Sequence, residues 1–333
     1  MDNEERLVFW NTLCTLPGKD IESESKQLSS NIKYPRFLYR YRSVNTRNLE
    51  ALRTNKLYFS SANYYDDPFD TFLHIEIEKI RNEILSVSQS PDFMEAVIKL
   101  VKLYLKDKVS KEQLYQLDVN AAKTALSTDV IDKFINYVLS SREDLKKDLW
   151  SVCFSENGYN ESLWLKYADC HRGFVLIYDL ENSDNLLCGK QEKCKNCGIH
   201  MFGTPIYPVY YSDAPYDATN FAKQIVLQKV EQQVGASAPS LIYKSLGPLY
   251  WEQERISLIK KECHKYDEEW RMLICRNMNP PIMMEWIPSG IILGLHMKNE
   301  EENLTVCLAK EAGIKNIYKA FINAKSELSY YLL

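Results

Sequence analysis

Apolar and polar positions change period several times along the chain, and each change marks an element. Leu7, Trp10 and Leu13 share one face of a helix over residues 5–14, which Pro17-Gly18 ends. Residues 19–34 are polar and Ser-rich and read as a linker, so residues 1–35 are expected to form a helix and arm. From Arg36 the pattern becomes strand-like. Aromatics and arginines alternate loosely from Phe37 to Arg42, and a second strand is expected over Lys56-Leu57-Tyr58-Phe59-Ser60-Ser61, with a short helix over residues 45–55 between them. Residues 71–147 carry apolar positions three and four apart, as in Leu73, Ile77, Ile80 and Ile84, and predict a helical insertion.

Strand patterns return at residues 149–155, 173–178, 206–211, 270–275, 282–287 and 291–295, and a last helix leads to the stretch 317–321 and the tail 328–332. The β-branched run Val175-Leu176-Ile177 suits a central strand, and Pro208 places its own strand at an edge or a bulge. Helices are expected over residues 161–169, over 219–260 with a break near 235–239, and over about 300–312. Strands and helices do not alternate regularly. The expected class is α+β: a mixed or antiparallel sheet interrupted by helices, one domain over residues 36–333 with a Cys-rich loop at about 184–204.

Composition changes this picture little. The 333 residues carry a net charge of −4, so no overall field draws the protein to nucleic acid or anionic lipid. No apolar run approaches the roughly 18 residues of a membrane span, and the acidic start differs from a signal peptide. The chain is expected to be cytoplasmic, its nine cysteines mostly reduced.

Three stretches carry candidate chemistry. In Asp267-Glu268-Glu269-Trp270-Arg271, acids lie at the mouth of a strand, where a rigid element would fix a carboxylate; a solvated cluster before an edge strand is the plainer alternative. Cys188, Cys194, Cys197 and His200 include one zinc-knuckle spacing, and either a structural zinc or plain reduced thiols would account for them. No glycine-rich phosphate loop occurs, so side chains would have to hold a nucleotide. Arg40 and Arg42, alternating with Tyr39 and Tyr41, suit phosphate and ring contacts, unless they are the wet face of an edge strand. Asp66, Asp67, Asp70 and Glu269 around a divalent metal would instead make a nucleic-acid enzyme.

The motifs Leu38-Tyr39-Arg40-Tyr41-Arg42-Ser43, Leu57-Tyr58-Phe59-Ser60-Ser61, Asp66-Asp67-Pro68-Phe69-Asp70, Val152-Cys153-Phe154-Ser155-Glu156, Leu163-Trp164-Leu165-Lys166-Tyr167 and Tyr266-Asp267-Glu268-Glu269-Trp270-Arg271 occur in one order over residues 36–321. Together they resemble the bacterial domain-of-unknown-function 2971 family. Asp66 replaces that family's usual Asn, and His264 its usual Trp. A more distant resemblance, to ADP-ribosyltransferases of toxin and phage-defence type, implies a split mixed sheet and NAD as substrate. By that likeness Arg40 or Arg42 would bind the NAD phosphates, Ser60 and Ser61 would brace the cleft, and Glu269 would be the catalytic carboxylate. Asp67, Phe69, Trp164 and Tyr167 would complete the nucleotide site. The acceptor, protein or nucleic acid, stays open, as does an operon-encoded partner. A non-catalytic module binding a nucleotide or partner with the same residues is the alternative.

Overall fold

The structure, a computed structural model, describes residues 1–87, 105–115, 128–181, 206–234, 249–275 and 280–333, with positions 91, 95, 98, 99, 102 and 103. The first half runs α1 (Asn3–Thr15), α2 (Ile21–Ser30), β1 (Phe37–Arg42), α3 (Thr46–Arg53), β2 (Lys56–Tyr58), β3 (Ser60–Ser61), α4 (Ile77–Val87), α5 (Thr128–Asp148), β4 (Leu149–Ser155), α6 (Glu161–Tyr167) and β5 (Phe174–Asp179). The second runs β6 (Ile206–Pro208), β7 (Tyr210–Tyr211), α7 (Thr219–Val234), α8 (Glu252–Ser257), β8 (Ile259–Lys260), β9 (Glu269–Cys275), β10 (Met283–Glu285), β11 (Gly290–Leu293), α9 (Asn299–Glu311), β12 (Asn316–Ile322) and β13 (Leu328–Leu332).

One mixed sheet organises these elements, in the order β13-β12-β11-β5-β1-β4-β9-β6, with β3 also beside β4. Its pairs are antiparallel except β11 with β12, which α9 joins as the crossover a parallel pair needs. The architecture is α+β, as the pattern implies. Both β1 and β5 are interior strands, so Arg40 and Arg42 do not lie on an exposed edge.

Alternation fixes which residues share a face. Leu38, Val152, Phe154, Trp270 and Met272 pack with Phe9, Leu13 and Leu28 in the largest core. Tyr41, Val175 and Ile292 meet Trp164 of α6 in a second cluster. A third joins Ile80 of α4, Val138 of α5 and Ala222 of α7 beside Leu149 of β4.

Two expectations are corrected here. Residues 19–34 are no linker: α2 forms there, with Asp20 capping Ser23 and Leu28 fully buried. Its inward Glu24 accepts from the backbone N–H of Gly18, Lys19 and Asp20 and from Trp251 Nε1 at 2.6 Å. A helix whose buried face includes a satisfied carboxylate looks like a solvated arm in one dimension. The strand expected over Lys56–Ser61 divides at Phe59, whose buried ring and N–H bond to Ile282 O (2.9 Å) send β2 to β10 and β3 to β4. The described helices include none long and apolar enough to cross a membrane.

Leu13→Ala tests whether α1 belongs to the main core. Leu13 is fully buried, so urea unfolding should show a loss of about 2–5 kcal/mol. A loss below about 0.5 kcal/mol, the size expected at an exposed position, would detach α1 from it.

Candidate functional site

The site begins where the sheet parts. β1 and β4 share one registered pair, Tyr39 opposite Ser155. Further along β4, Ser151 and Trp150 pair instead with Ser60 and Ser61 of β3. Between these contacts lies a cavity of about 210 Å³, lined from β1 by Arg40 and Arg42, from β3 by Ser60, from β4 by Cys153 and Ser155, and from β9 by Glu269. A tight corner holds the end of β1. Asp169, Cys170 and His171 all take positive φ, and a Cβ on Gly173 would sit 2.1 Å from the Arg42 carbonyl oxygen. Only glycine permits that approach.

Glu269 starts β9 directly after Glu268, which turns the chain through a left-handed conformation (φ 45°). The register of β9 on β4 puts Glu269, Arg271 and Leu273 on the cavity face. Arg271 then becomes the hub of a buried network. Its Nε donates to Glu269 Oε1 at 2.7 Å, and Nη1 and Nη2 grip Asp70 at 2.8 and 2.6 Å. Nη1 also donates to Ser257 O at 2.7 Å. Lys260 of β8 donates to Glu269 Oε2 at 2.9 Å and to Asp267 Oδ2 at 3.2 Å. Asp70 is held in place by Thr71, a β-branched residue at φ 53° whose Oγ1 donates to the Asp70 carboxylate.

These contacts decide the charge states. Burial alone would raise the Glu269 carboxyl; the Arg271 and Lys260 charges outweigh it and hold the group far below the usual carboxylate range. Burial opposes the charge on Lys260 as well, but Glu269 and Asp70 raise it well above its ordinary value. Glu269 is therefore a fixed anion, 6% exposed, with an ion-pair partner on each oxygen. Around it three carboxylates (Asp70, Asp267, Glu269) meet two cations, and the outer wall adds Asp66 and Asp67. His264 lies 3.2 Å from Asp67 and 3.6 Å from Asp267, bridging two walls of the cavity.

A second cavity, of about 500 Å³, adjoins the first and shares Arg40, Arg42, Ser60, Lys166 and Tyr167 with it. Its charge is opposite: Arg47 and Lys56 join the shared cations, and Asp169 is the one carboxylate among its described lining residues. Burial lowers the Arg40 guanidinium, and burial together with Arg40 pushes Arg42 down to about 9.

The structure thus brings Arg40, Arg42, Tyr39, Tyr41, Ser60, Asp67, Tyr167 and Glu269 to one cavity. Tyr41 enters it with its hydroxyl already bonded to Asn157 O and Asn160 N. Three residues expected there are placed elsewhere. Ser61 is buried, donating to Lys146 O and accepting from Asn63 N as a helical cap. Trp164 is fully buried between Tyr41 and His171 in the core under β1 and β5. Phe69 is 57% exposed outside both linings, with Lys261 Nζ 3.5 Å from its ring centroid. The zinc candidates Cys188, Cys194, Cys197 and His200 lie outside the described residues. Among the described residues no group of three or more His, Cys, Asp or Glu is arranged for a metal. Asp70 and Glu269, the innermost carboxylates of the divalent-metal reading, already face Arg271 and Lys260. Sequence reading missed Lys260, Arg47, Lys56 and Lys166, because an isolated lysine or arginine at the end of a helix or strand carries no spacing signal.

Comparison with protein-family models, curated proteins and solved structures gave no match.

The network sets two expectations. Arg271→Met leaves Asp70 and Glu269 buried without their main partner, and should cost about 3–5 kcal/mol in urea unfolding. The Glu269 carboxyl is lower in the folded chain than in the unfolded one, so its contribution is full above the ordinary Glu range near pH ~4.3 and fades as pH falls through the depressed value. Thermal unfolding of Glu269→Gln followed from about pH 6 down to pH 3 should accordingly show a flatter acid decline than the parent. Parallel declines would mean that Glu269 is not ion-paired.

Proposed function

We propose that the cavity between β1 and β4 binds NAD and cleaves its nicotinamide–ribose bond, passing ADP-ribose to water or to an acceptor. The observation that carries this reading is the convergence of Arg40, Ser60 and Glu269, from three separate strands, on one cavity. The parting of the sheet agrees with the split sheet of the ADP-ribosyltransferase resemblance. Charge supports it too. NAD has a cationic pyridinium at one end and a pyrophosphate further along, and the two cavities lean acidic and basic in that order.

In the reaction the glycosidic C–N bond breaks and nicotinamide leaves with the bonding pair. The ribose carbon becomes electron-poor, and a nucleophile adds to it and loses its proton. A carboxylate fixed beside that carbon stabilises the developing charge without reorganising. Glu269 suits this role because it stays ionised and immobile. Its two ion pairs leave lone pairs free to accept from a ribose hydroxyl. Acceptors of protein or nucleic-acid type, and a setting in bacterial toxicity or phage defence, follow from the family resemblances.

The double engagement of Glu269 also favours a second reading, in which the pocket binds the nucleotide without turning it over, as a regulatory module. Purified protein incubated with NAD separates the two. The catalytic reading expects nicotinamide release that Glu269→Gln lowers by about 100-fold or more, with circular dichroism verifying the fold. Full activity in a folded Glu269→Gln protein would remove Glu269 from the chemistry. Saturable NAD binding without release would establish the regulatory module. Arg42→Gln should raise KM for NAD about tenfold while changing kcat little, since it removes a charge-assisted contact made in ground and transition state alike.

A further inference from the structure

The second cavity carries more positive charge than one pyrophosphate neutralises. Arg40, Arg42, Arg47, Lys56 and Lys166 line it, and among the described residues none of them has an ion-pair partner. Asp169 does not offset them, since Arg172 engages it at 3.1 Å. Arg40 is 8% exposed, and among the described residues its Nε has no hydrogen-bond partner; Nη2 donates to Tyr58 O at 3.3 Å, and the Tyr178 hydroxyl also bonds to the guanidinium. A buried donor without a partner is costly unless a ligand satisfies it. The first turn of α3, with Asn45 and Asn48 in the lining, adds the positive end of a helix dipole.

Size points the same way. The first cavity, about 210 Å³, falls below the ~300 Å³ at which pockets for drug-sized ligands begin. A dinucleotide must therefore continue into the larger, basic cavity. A pyrophosphate within a dinucleotide brings about two negative charges, one for each diester-like phosphate, and would leave about three cations crowded together. A further phosphate monoester adds about 1.5–2 charges.

We infer that the second cavity is a site for the phosphate end of a ligand with three phosphate groups, a pyrophosphate plus one more. This rests on the NAD reading for the adjoining cavity, and narrows its substrate to a dinucleotide with an additional phosphate on the adenosine ribose. Arg47 and Lys56, on α3 and β2, are the residues that read the third phosphate. Neither belongs to the Arg271 network.

Calorimetric titration of the full chain with inorganic pyrophosphate, inorganic triphosphate, NAD and the 2′-phosphorylated dinucleotide tests this. Triphosphate should bind about tenfold or more tighter than pyrophosphate, and the phosphorylated dinucleotide tighter than NAD by the same factor. The double variant Arg47→Gln/Lys56→Gln should bring both ratios close to one. Equal affinities in the parent, or ratios that survive in the double variant, overturn the inference. ATP distinguishes the sources of a third phosphate. Binding weaker than that of the phosphorylated dinucleotide supports the ribose assignment, whereas tighter binding contradicts it in favour of a linear triphosphate. Nicotinamide release in the same samples keeps the two readings apart. Release at equal kcat/KM from both dinucleotides sinks the third-phosphate site and spares the NAD reading. A binding preference without release does the reverse.

Discussion

The guanidinium of Arg271 holds the site together. It is 1% exposed and grips Asp70 with two nitrogens, Glu269 with a third, and the Ser257 carbonyl besides. Those partners come from three separate segments: the loop after β3, the start of β9 and the end of α8. Burying so much charge is a poor way to gain stability, since desolvation cancels most of the attraction. What it gains is position. A carboxylate tied on both oxygens can neither rotate nor take up a proton near neutral pH, and a loop tied by a bidentate arginine cannot drift from the wall it forms.

The sheet supplies the other half of the arrangement. Because β1 and β4 touch at one registered pair and then part, a gap opens inside a sheet rather than beside it. Backbone groups on either side are free of each other there, and side chains from both faces of β1 reach the opening. That explains why Tyr39 and Arg40, adjacent in sequence and opposite in direction, both line one cavity. It also divides the cations. Lys260 and Arg271 are consumed by carboxylates, whereas Arg40, Arg42 and Arg47 meet none among the described residues. The proposed ligand, cationic at one end and anionic along its length, is the complement of that division.

Much of this was legible in the sequence wherever one residue type had one use. The β-branched run of β5 announced an interior strand, Pro208 an edge, and Glu269 a carboxylate at a strand's mouth. Other residues were misread because the same chemistry serves two purposes. Ser61 and Ser60 look alike in a Tyr-Phe-Ser-Ser strand, yet the break at Phe59 and the alternation of β3 turn one to the cavity and the other to a cap. Trp164 looks like a stacking platform, but helical spacing rotates it into the core. The inward face of α2 was hidden by its own satisfied Glu24.

The two cavities are proposed to form one binding cleft for a nicotinamide dinucleotide. A crystal structure with a non-cleavable carbocyclic NAD analogue tests it most directly. The nicotinamide-bearing ring is expected within hydrogen-bond reach of Glu269 and the phosphates on Arg40 and Arg42. An analogue bound at another surface, or one lying with its phosphates against Asp70 and Glu269, would contradict it.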